Sequence, residues 1–204
     1  MPKSVIRQFF IDGEQGPLQA EFQEGQADQP VLVMCHPHPL YGGSMHDAVL
    51  QTAATSAQNA GLAWLRFNFR GVGDSAGAHL PSAAEPAETA DLAAALYWLT
   101  SNNSERSFIT LGYSFGAYVL CHSVEHVNVG QRILVAPPNA VMQCPLKANS
   151  SSLDIVYGDA DDYVDPSAFT AANDATVHEL AAADHFFSGQ HDVLAQTLSS
   201  ILAS

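Results

Sequence analysis

The sequence predicts an α/β protein, a three-layer sandwich in which helices cover both faces of a mostly parallel sheet. Short continuous apolar runs such as Val31–Cys35 are typical of strands that are buried on both faces. They alternate with helical patterns such as Ala87–Ser101, in which Leu92, Leu96 and Leu99 form one apolar stripe. Such alternation predicts parallel strands joined by helical crossovers, and ligands in such sheets bind at the carboxyl ends of the strands.

The individual elements follow from periodicity and from turn residues. Two strands, Val5–Ile11 and Leu18–Phe22, predict an N-terminal hairpin. Ser44 is expected to cap a helix over Met45–Ala60, which Gly61 ends. Further strands are predicted at Leu62–Phe69, Phe108–Tyr113, Ile133–Ala136, Leu153–Tyr157 and Val177–Leu180. Further helices are predicted at Ser114–Glu125, after an Asp165 cap with Pro166 at the first position, and at Ser188–Leu202.

Composition and charge limit the classes of function. The chain has 204 residues, 47% of them hydrophobic, which suits a single domain over residues 1–204 with a full core. Acidic residues outnumber basic ones 21 to 7, so the formal net charge is −14. So few cations cannot neutralise many phosphates, and we therefore expect neither nucleic-acid binding nor attachment to anionic membranes. The expected partner is a small molecule, bound by a monomer or a homodimer.

The cysteines and the N-terminus favour a cytoplasmic protein. Cys35, Cys121 and Cys144 are odd in number and contain no C-x-x-C pair, which is not the pattern of a disulfide framework. The first apolar stretch ends at Asp12 with no small-residue cleavage site after it, and no run reaches the roughly 20 apolar residues of a membrane span.

The strongest local motif is Gly112-Tyr113-Ser114-Phe115-Gly116, a G-x-S-x-G pattern. It lies between an apolar run and a helical stretch, which is the strand–turn–helix setting of a nucleophile elbow. Glycines two residues to either side leave room for a strained serine. Such a turn raises the Ser114 hydroxyl above the sheet edge and directs the Phe115 N–H at a developing oxyanion.

A nucleophilic serine needs a base, and the base needs an acid that orients it. In this motif's fold the chain order is Ser, acid, His. Among the late histidines, His178 falls in a predicted strand and His191 in the last predicted helix, whereas His185 lies in the loop between these elements. His185 is therefore the predicted general base.

The acid is expected in the segment Gly158–Asp165, which follows a predicted strand and contains four aspartates. Asp165 is assigned to helix capping. We favour Asp161 over Asp162, because Asp161 lies three residues past the glycine turn. A second oxyanion donor is expected in the loop after Val31–Cys35, where the prolines lack an N–H, and the His38 backbone N–H is the preferred candidate.

These motifs, in this order along nearly the whole chain, resemble the α/β-hydrolase fold. More narrowly, the runs HPHPLYGGSMHDAV, RFNFRGVGDSAG, GYSFG, GDADDYV and ADHFF are similar to small uncapped bacterial hydrolases related to dienelactone hydrolase. The resemblance implies a central sheet of about eight strands and a Ser114–His185–Asp161 triad. Dienelactone hydrolases use a cysteine nucleophile, whereas this chain has serine. Between Ile133–Ala136 and Leu153–Tyr157 the chain is too short for a lid domain, so we expect an open, shallow pocket.

Two metal-site interpretations compete with this hypothesis. The segment 122–126 fits H-x-x-E-H, an inverted zinc-protease pattern, and His36, His38, His46 and Asp47 form a second cluster of metal-ligating residue types. The first is expected on a helix that points away from the strand ends. The second is interrupted by prolines and by a helix start.

The sequence thus predicts a serine hydrolase of the carboxylesterase type that needs neither metal nor cofactor. A thioesterase or a lactone hydrolase with the same triad is an alternative, as is a non-catalytic interaction protein on the same scaffold. Tyr41, Tyr163, Phe186 and Phe187 are candidates for an apolar acyl site.

Overall fold

The computed structural model describes residues 5–80, 85–102, 105–146, 151–171 and 174–203. The strands are β1 (Arg7–Gly13), β2 (Gly16–Gln23), β3 (Val31–Cys35), β4 (Ala63–Phe67), β5 (Phe108–Tyr113), β6 (Val129–Val135), β7 (Ser152–Gly158) and β8 (Ala175–Leu180). The α-helices are α1 (Ala48–Asn59), α2 (Thr89–Asn102), α3 (Phe115–His122) and α4 (His191–Leu202). Short 3₁₀ helices lie at Pro39–Tyr41 and Pro166–Ala171.

The eight strands form one sheet in the order β1-β2-β4-β3-β5-β6-β7-β8. The hairpin β1–β2 joins β4 antiparallel, and all later neighbours are parallel. Every residue of β3, β4 and β5 is buried, because α1 packs with α4 and α2 packs with α3 in layers that flank the sheet. The predicted mostly parallel α/β/α sandwich is confirmed.

Most predicted elements are present, and β3 and β5 have the predicted bounds. The predicted start of α1 at Met45 is wrong, because the helix begins at Ala48. Its cap is Asp47, whose carboxylate accepts the Val49 N–H at 2.8 Å. Ser44 instead closes the preceding turn, since its carbonyl accepts the Asp47 N–H at 3.0 Å. Asp47 rather than Ser44 therefore caps α1, because its carboxylate lies within reach of the first free N–H groups of the helix.

Two other helices are shorter than predicted. α3 ends at His122 rather than Glu125, because the backbone of Ser123 is extended. α4 begins at His191 rather than Ser188, after Gly189 turns the chain with φ of +70°. No α-helix in the described ranges is long and apolar enough to cross a bilayer.

Candidate active site

Ser114 stands at the turn between β5 and α3 in a backbone conformation that side chains rarely adopt. Its φ is +52° and its ψ is −114°. A Cβ added at Gly112 would lie 2.3 Å from the Gly116 carbonyl oxygen, and one at Gly116 would lie 2.1 Å from that of Cys35. The turn therefore has room only for glycine at these two positions. Ser114 occupies the N-cap position of α3 but makes no side-chain capping bond, which leaves its hydroxyl available.

A chain of hydrogen bonds joins the three residues that the sequence singled out. The Ser114 hydroxyl lies 2.9 Å from His185 Nε2, where it can donate to the unprotonated nitrogen of a neutral imidazole. On the other side of the ring, His185 Nδ1 lies 2.8 Å and 3.0 Å from the two carboxylate oxygens of Asp161. The Asp161 side chain is fully buried, and that of His185 is 10% exposed. A buried carboxylate in this position selects the tautomer in which Nδ1 carries the proton.

The loop after β7 delivers Asp161 to the imidazole. The Asp161 N–H donates to the Gly158 carbonyl, and its carboxylate accepts the Tyr163 N–H at 2.9 Å. A Cβ at Gly158 would lie 2.0 Å from the Ala183 carbonyl oxygen, so glycine lets this loop approach the His185 loop closely. Asp162 is exposed to solvent instead.

Sequence reasoning missed the contacts that hold the histidine loop. The Tyr113 hydroxyl donates to the His185 carbonyl at 3.0 Å, so the residue just before Ser114 also positions His185. The Asp184 carboxylate accepts the N–H groups of Ser188 at 2.8 Å and Phe186 at 3.1 Å. These bonds hold the pKa of Asp184 below its usual value. The only signal for the tyrosine was its place inside the G-x-S-x-G motif.

The serine and the histidine open into a pocket of about 720 Å³ at the carboxyl edge of the sheet. This volume lies within the range of small-molecule sites. Its walls come from five segments of the described chain: residues 37–47, 113–115, 138–142, 163 and 185–186. Tyr41, Tyr163 and Phe186 line it as predicted. Phe187 does not, since it is fully buried and packs against Tyr113.

Both predicted oxyanion residues lie on the pocket wall. Phe115 is the first residue of α3, and His38 precedes the 3₁₀ helix Pro39–Tyr41, with ring centroids 4.8 Å apart. The His38 carbonyl accepts two backbone N–H groups from its own loop. A Cβ at Gly43 would lie 2.2 Å from the Pro37 carbonyl oxygen, so this loop is tightly closed. Burial and the nearby His79 lower the pKa of His38.

Asp47 is a pocket residue that sequence reasoning did not assign to the active site. Its carboxylate caps α1, and Asp47 also lines the pocket. The other members of the candidate metal cluster are separated by their contacts: His36 is buried, with Nε2 accepting the Phe69 N–H at 3.0 Å, and His46 is exposed. Within the described residues, no three histidine, cysteine or acidic side chains are grouped to hold a metal ion.

The H-x-x-E-H segment is also not arranged as that motif requires. His122 is the last residue of α3, and its Nδ1 lies 2.9 Å from the Tyr118 carbonyl oxygen. His126 lies beyond the helix end and packs against Phe108. Only His122 of this segment therefore belongs to α3, because the helix ends three residues before its predicted end at Glu125.

A serine, a histidine and an acid joined by hydrogen bonds at the carboxyl edge of such a sheet are the hallmark of the α/β-hydrolase superfamily. Solved structures of α/β serine hydrolases share this fold. An α/β serine hydrolase homologue from Coxiella burnetii is 32% identical, with a TM-score of 0.85 and 97% of each chain covered. XC6422 from Xanthomonas campestris, a member of the α/β serine hydrolases without a lid, is 30% identical, also with a TM-score of 0.85, and the match covers 98% of this chain and 94% of that one.

The chain belongs to the lidless α/β serine hydrolases of this superfamily. No family model matches the sequence. Among curated proteins, the uncharacterized protein RP471 of Rickettsia prowazekii is 33% identical over 134 residues. That match covers 64% of this chain, which spans about half the length of RP471 (55%). These relationships support a hydrolase, and the geometry of the site bears on which kind.

Proposed function

We propose that this protein is a serine hydrolase of the esterase type, with Ser114 as nucleophile, His185 as general base and Asp161 as the orienting acid. The observation that carries the proposal is the continuous hydrogen-bonded chain from the Ser114 hydroxyl through His185 to Asp161. Ser114, at one end of this series of hydrogen bonds, lines a pocket large enough for a small acyl substrate. The preferred substrate is a carboxylic ester; thioesters and lactones pass through the same tetrahedral intermediate.

In the acylation step, Ser114 Oγ attacks the acyl carbonyl carbon while His185 Nε2 takes the hydroxyl proton. The new C–O bond places a negative charge on the carbonyl oxygen. His185 then delivers the proton to the leaving alcohol as the ester C–O bond breaks. Asp161 stabilises the imidazolium that exists between these two transfers, because its carboxylate faces Nδ1.

The oxyanion would be stabilised by the backbone N–H groups of Phe115 and His38. Phe115 opens α3, so its N–H has no partner within the helix and lies at the positive end of the helix dipole. The loss of one such donor typically costs about 3 to 4 kcal/mol of transition-state stabilisation. A water molecule, activated by His185 in the same way, then hydrolyses the acyl-enzyme.

Labelling with a fluorophosphonate tests this proposal. This reagent phosphonylates activated serines, so we expect one label per folded chain, located on Ser114 by peptide mass spectrometry. Ser114→Ala and His185→Ala should abolish labelling while the circular dichroism spectrum stays native. The control Ser200→Ala changes an exposed serine on α4 and should label like the parent protein.

Absence of label on a folded parent protein would contradict the proposal and favour a non-catalytic role for the fold. Label that persists in Ser114→Ala would instead place the reactive serine elsewhere.

A further inference from the structure

The pocket around Ser114 is lined by no lysine or arginine of the described residues. Five of the seven cationic side chains lie in the described ranges: Arg7, Arg66, Arg70, Arg106 and Arg132. Lys3 and Lys147 lie outside them. None of the five arginines contributes to the pocket wall.

Each of these arginines is engaged elsewhere in the fold. Arg66 forms an ion pair of 2.6 Å with Glu21, and Arg70 one of 2.7 Å with Asp91. The guanidinium of Arg7 lies over the aromatic rings of Phe9 in β1 and Trp98 in α2. Arg106 donates to backbone carbonyls at the amino end of β3, and Arg132 donates to Ser151. None is therefore placed to neutralise an anionic group of a bound substrate.

One of the described acidic residues belongs to the pocket wall, and Asp161 is not among the lining residues. Asp47 lines the pocket, and its Oδ1 accepts the Val49 N–H at the start of α1. Burial raises the pKa of the Asp47 carboxyl group, and the N–H groups of Val49 and Leu50 at the helix N-terminus oppose this shift by favouring the ionised form. Burial raises the pKa of the Tyr113 phenol on the same wall, and the charges of Asp47, Asp161 and Asp184 raise it further. Three acidic side chains thus contribute negative potential at the Tyr113 phenol.

The remaining wall is suited to uncharged groups. Val141, Met142 and Phe186 supply aliphatic, thioether and aromatic surface, and Tyr41 and Tyr163 add two further rings. An uncharged acyl chain can gain free energy by leaving water against this surface. An acyl group that carries a carboxylate or a phosphate would lose its hydration, face Asp47, and find no described cation as partner.

We propose that this site, given the esterase function proposed above, takes uncharged esters and discriminates against anionic ones, with Asp47 as the specificity-determining residue. Acyl groups on phosphorylated carriers, and lactones or esters that bear a free carboxylate, are therefore poor substrates. Like charges brought within about 8 Å of each other inside a pocket repel strongly enough to change an equilibrium constant about tenfold.

Two esters of nearly equal shape test the proposal: the p-nitrophenyl ester of adipamic acid, which ends in a neutral carboxamide, and mono-p-nitrophenyl adipate, which ends in a carboxylate. Release of p-nitrophenol is measured at pH 7.5 and low salt, with the uncatalysed rate subtracted. We expect kcat/KM for the neutral ester to exceed that for the anionic ester at least about tenfold. In 0.5 M NaCl this ratio should fall, because salt screens the repulsion.

The variant Asp47→Asn removes the charge but retains a residue that caps helices equally well, so α1 should keep its start. We expect it to reduce the ratio of the two kcat/KM values at least about threefold. The matched control Asp28→Asn removes an exposed carboxylate before β3, at the opposite edge of the sheet, and should leave the ratio unchanged.

A ratio near one in the parent protein, or faster hydrolysis of the anionic ester, would overturn the proposal. A high ratio that Asp47→Asn does not reduce would overturn the assignment to Asp47. Hydrolysis of neither ester, together with an absence of fluorophosphonate labelling, is a different result: it contradicts the proposed esterase function itself.

Discussion

At the scale of single residues, the four aspartates that follow β7 have different partners. Asp159 accepts the N–H of Ala182 and so ties this loop to the segment before the histidine. Asp161 faces His185, Asp162 is exposed, and Asp165 accepts an N–H in the first turn of the 3₁₀ helix. Only one of four chemically identical side chains therefore reaches the imidazole.

Replacement of Asp161 by asparagine should lower kcat for an activated ester about 10⁴-fold. The amide cannot stabilise the imidazolium, and its NH₂ group favours the wrong tautomer of His185. Asp162→Asn removes the same charge one residue later and should stay within about twofold of the parent. Steady-state kinetics on both variants separates the two residues, and similar losses in both would contradict the assignment of Asp161.

At the scale of secondary structure, the close approach of α3 to β3 depends on a missing side chain. The Cβ that an alanine would add at Gly116 lies 2.1 Å from the carbonyl oxygen of Cys35, the last residue of β3. This atom is backbone within a buried strand, so it cannot rotate away. The first turn of the helix, and with it Ser114, would have to shift.

Gly116→Ala should therefore lower the free energy of unfolding by about 2 kcal/mol, as overpacking of a core does. Gly130→Ala is the matched control, because nothing lies within 4 Å of the Cβ that it would add in β6. Urea unfolding at constant pH measures both changes. A Gly116→Ala variant as stable as the control would show that α3 can move away from β3 at no cost.

At the scale of the whole molecule, a buried histidine links stability to pH. His36 follows β3, and its Nε2 accepts the Phe69 N–H while its Nδ1 lies 2.7 Å from the Pro37 carbonyl oxygen. Both contacts are satisfied by the neutral ring, and burial lowers the pKa of His36 to about 4. The unfolded chain, with an ordinary pKa near 6.5, binds the proton more readily than the folded protein does.

Above pH 6.5 the titration of His36 should not change the free energy of unfolding. As the pH drops from 6.5 towards 4, the free energy of unfolding should fall, because only the unfolded chain takes up the proton. At pH 4.5 the loss relative to pH 7 is about 2 kcal/mol. Other groups titrate in this range, so the comparison is with His36→Gln, which cannot titrate at this position. Urea unfolding at both pH values should give a smaller pH-dependent loss for the variant, and equal losses would contradict this linkage.

The sequence by itself determined the alternation of strands and helices, the bounds of β3 and β5, and the turn at Ser114. These depend on neighbours in the chain: apolar runs mark strands buried on both faces, and glycines two residues from a serine permit a strained turn. The Ser–acid–His order also narrowed the candidates for the proposed base to His185, because each partner must follow a strand at the same sheet edge.

Only the tertiary structure decided which aspartate contacts His185 and that Tyr113 holds the histidine loop. It also decided that Asp47, on the pocket wall, caps α1. Phe187 enters the core, whereas Phe186 lines the pocket. Local patterns treat Asp161 and Asp162, or Phe186 and Phe187, as near equivalents. They differ through contacts between segments far apart in sequence, which arise when the loops after β3, β5, β7 and β8 meet at one edge of the sheet.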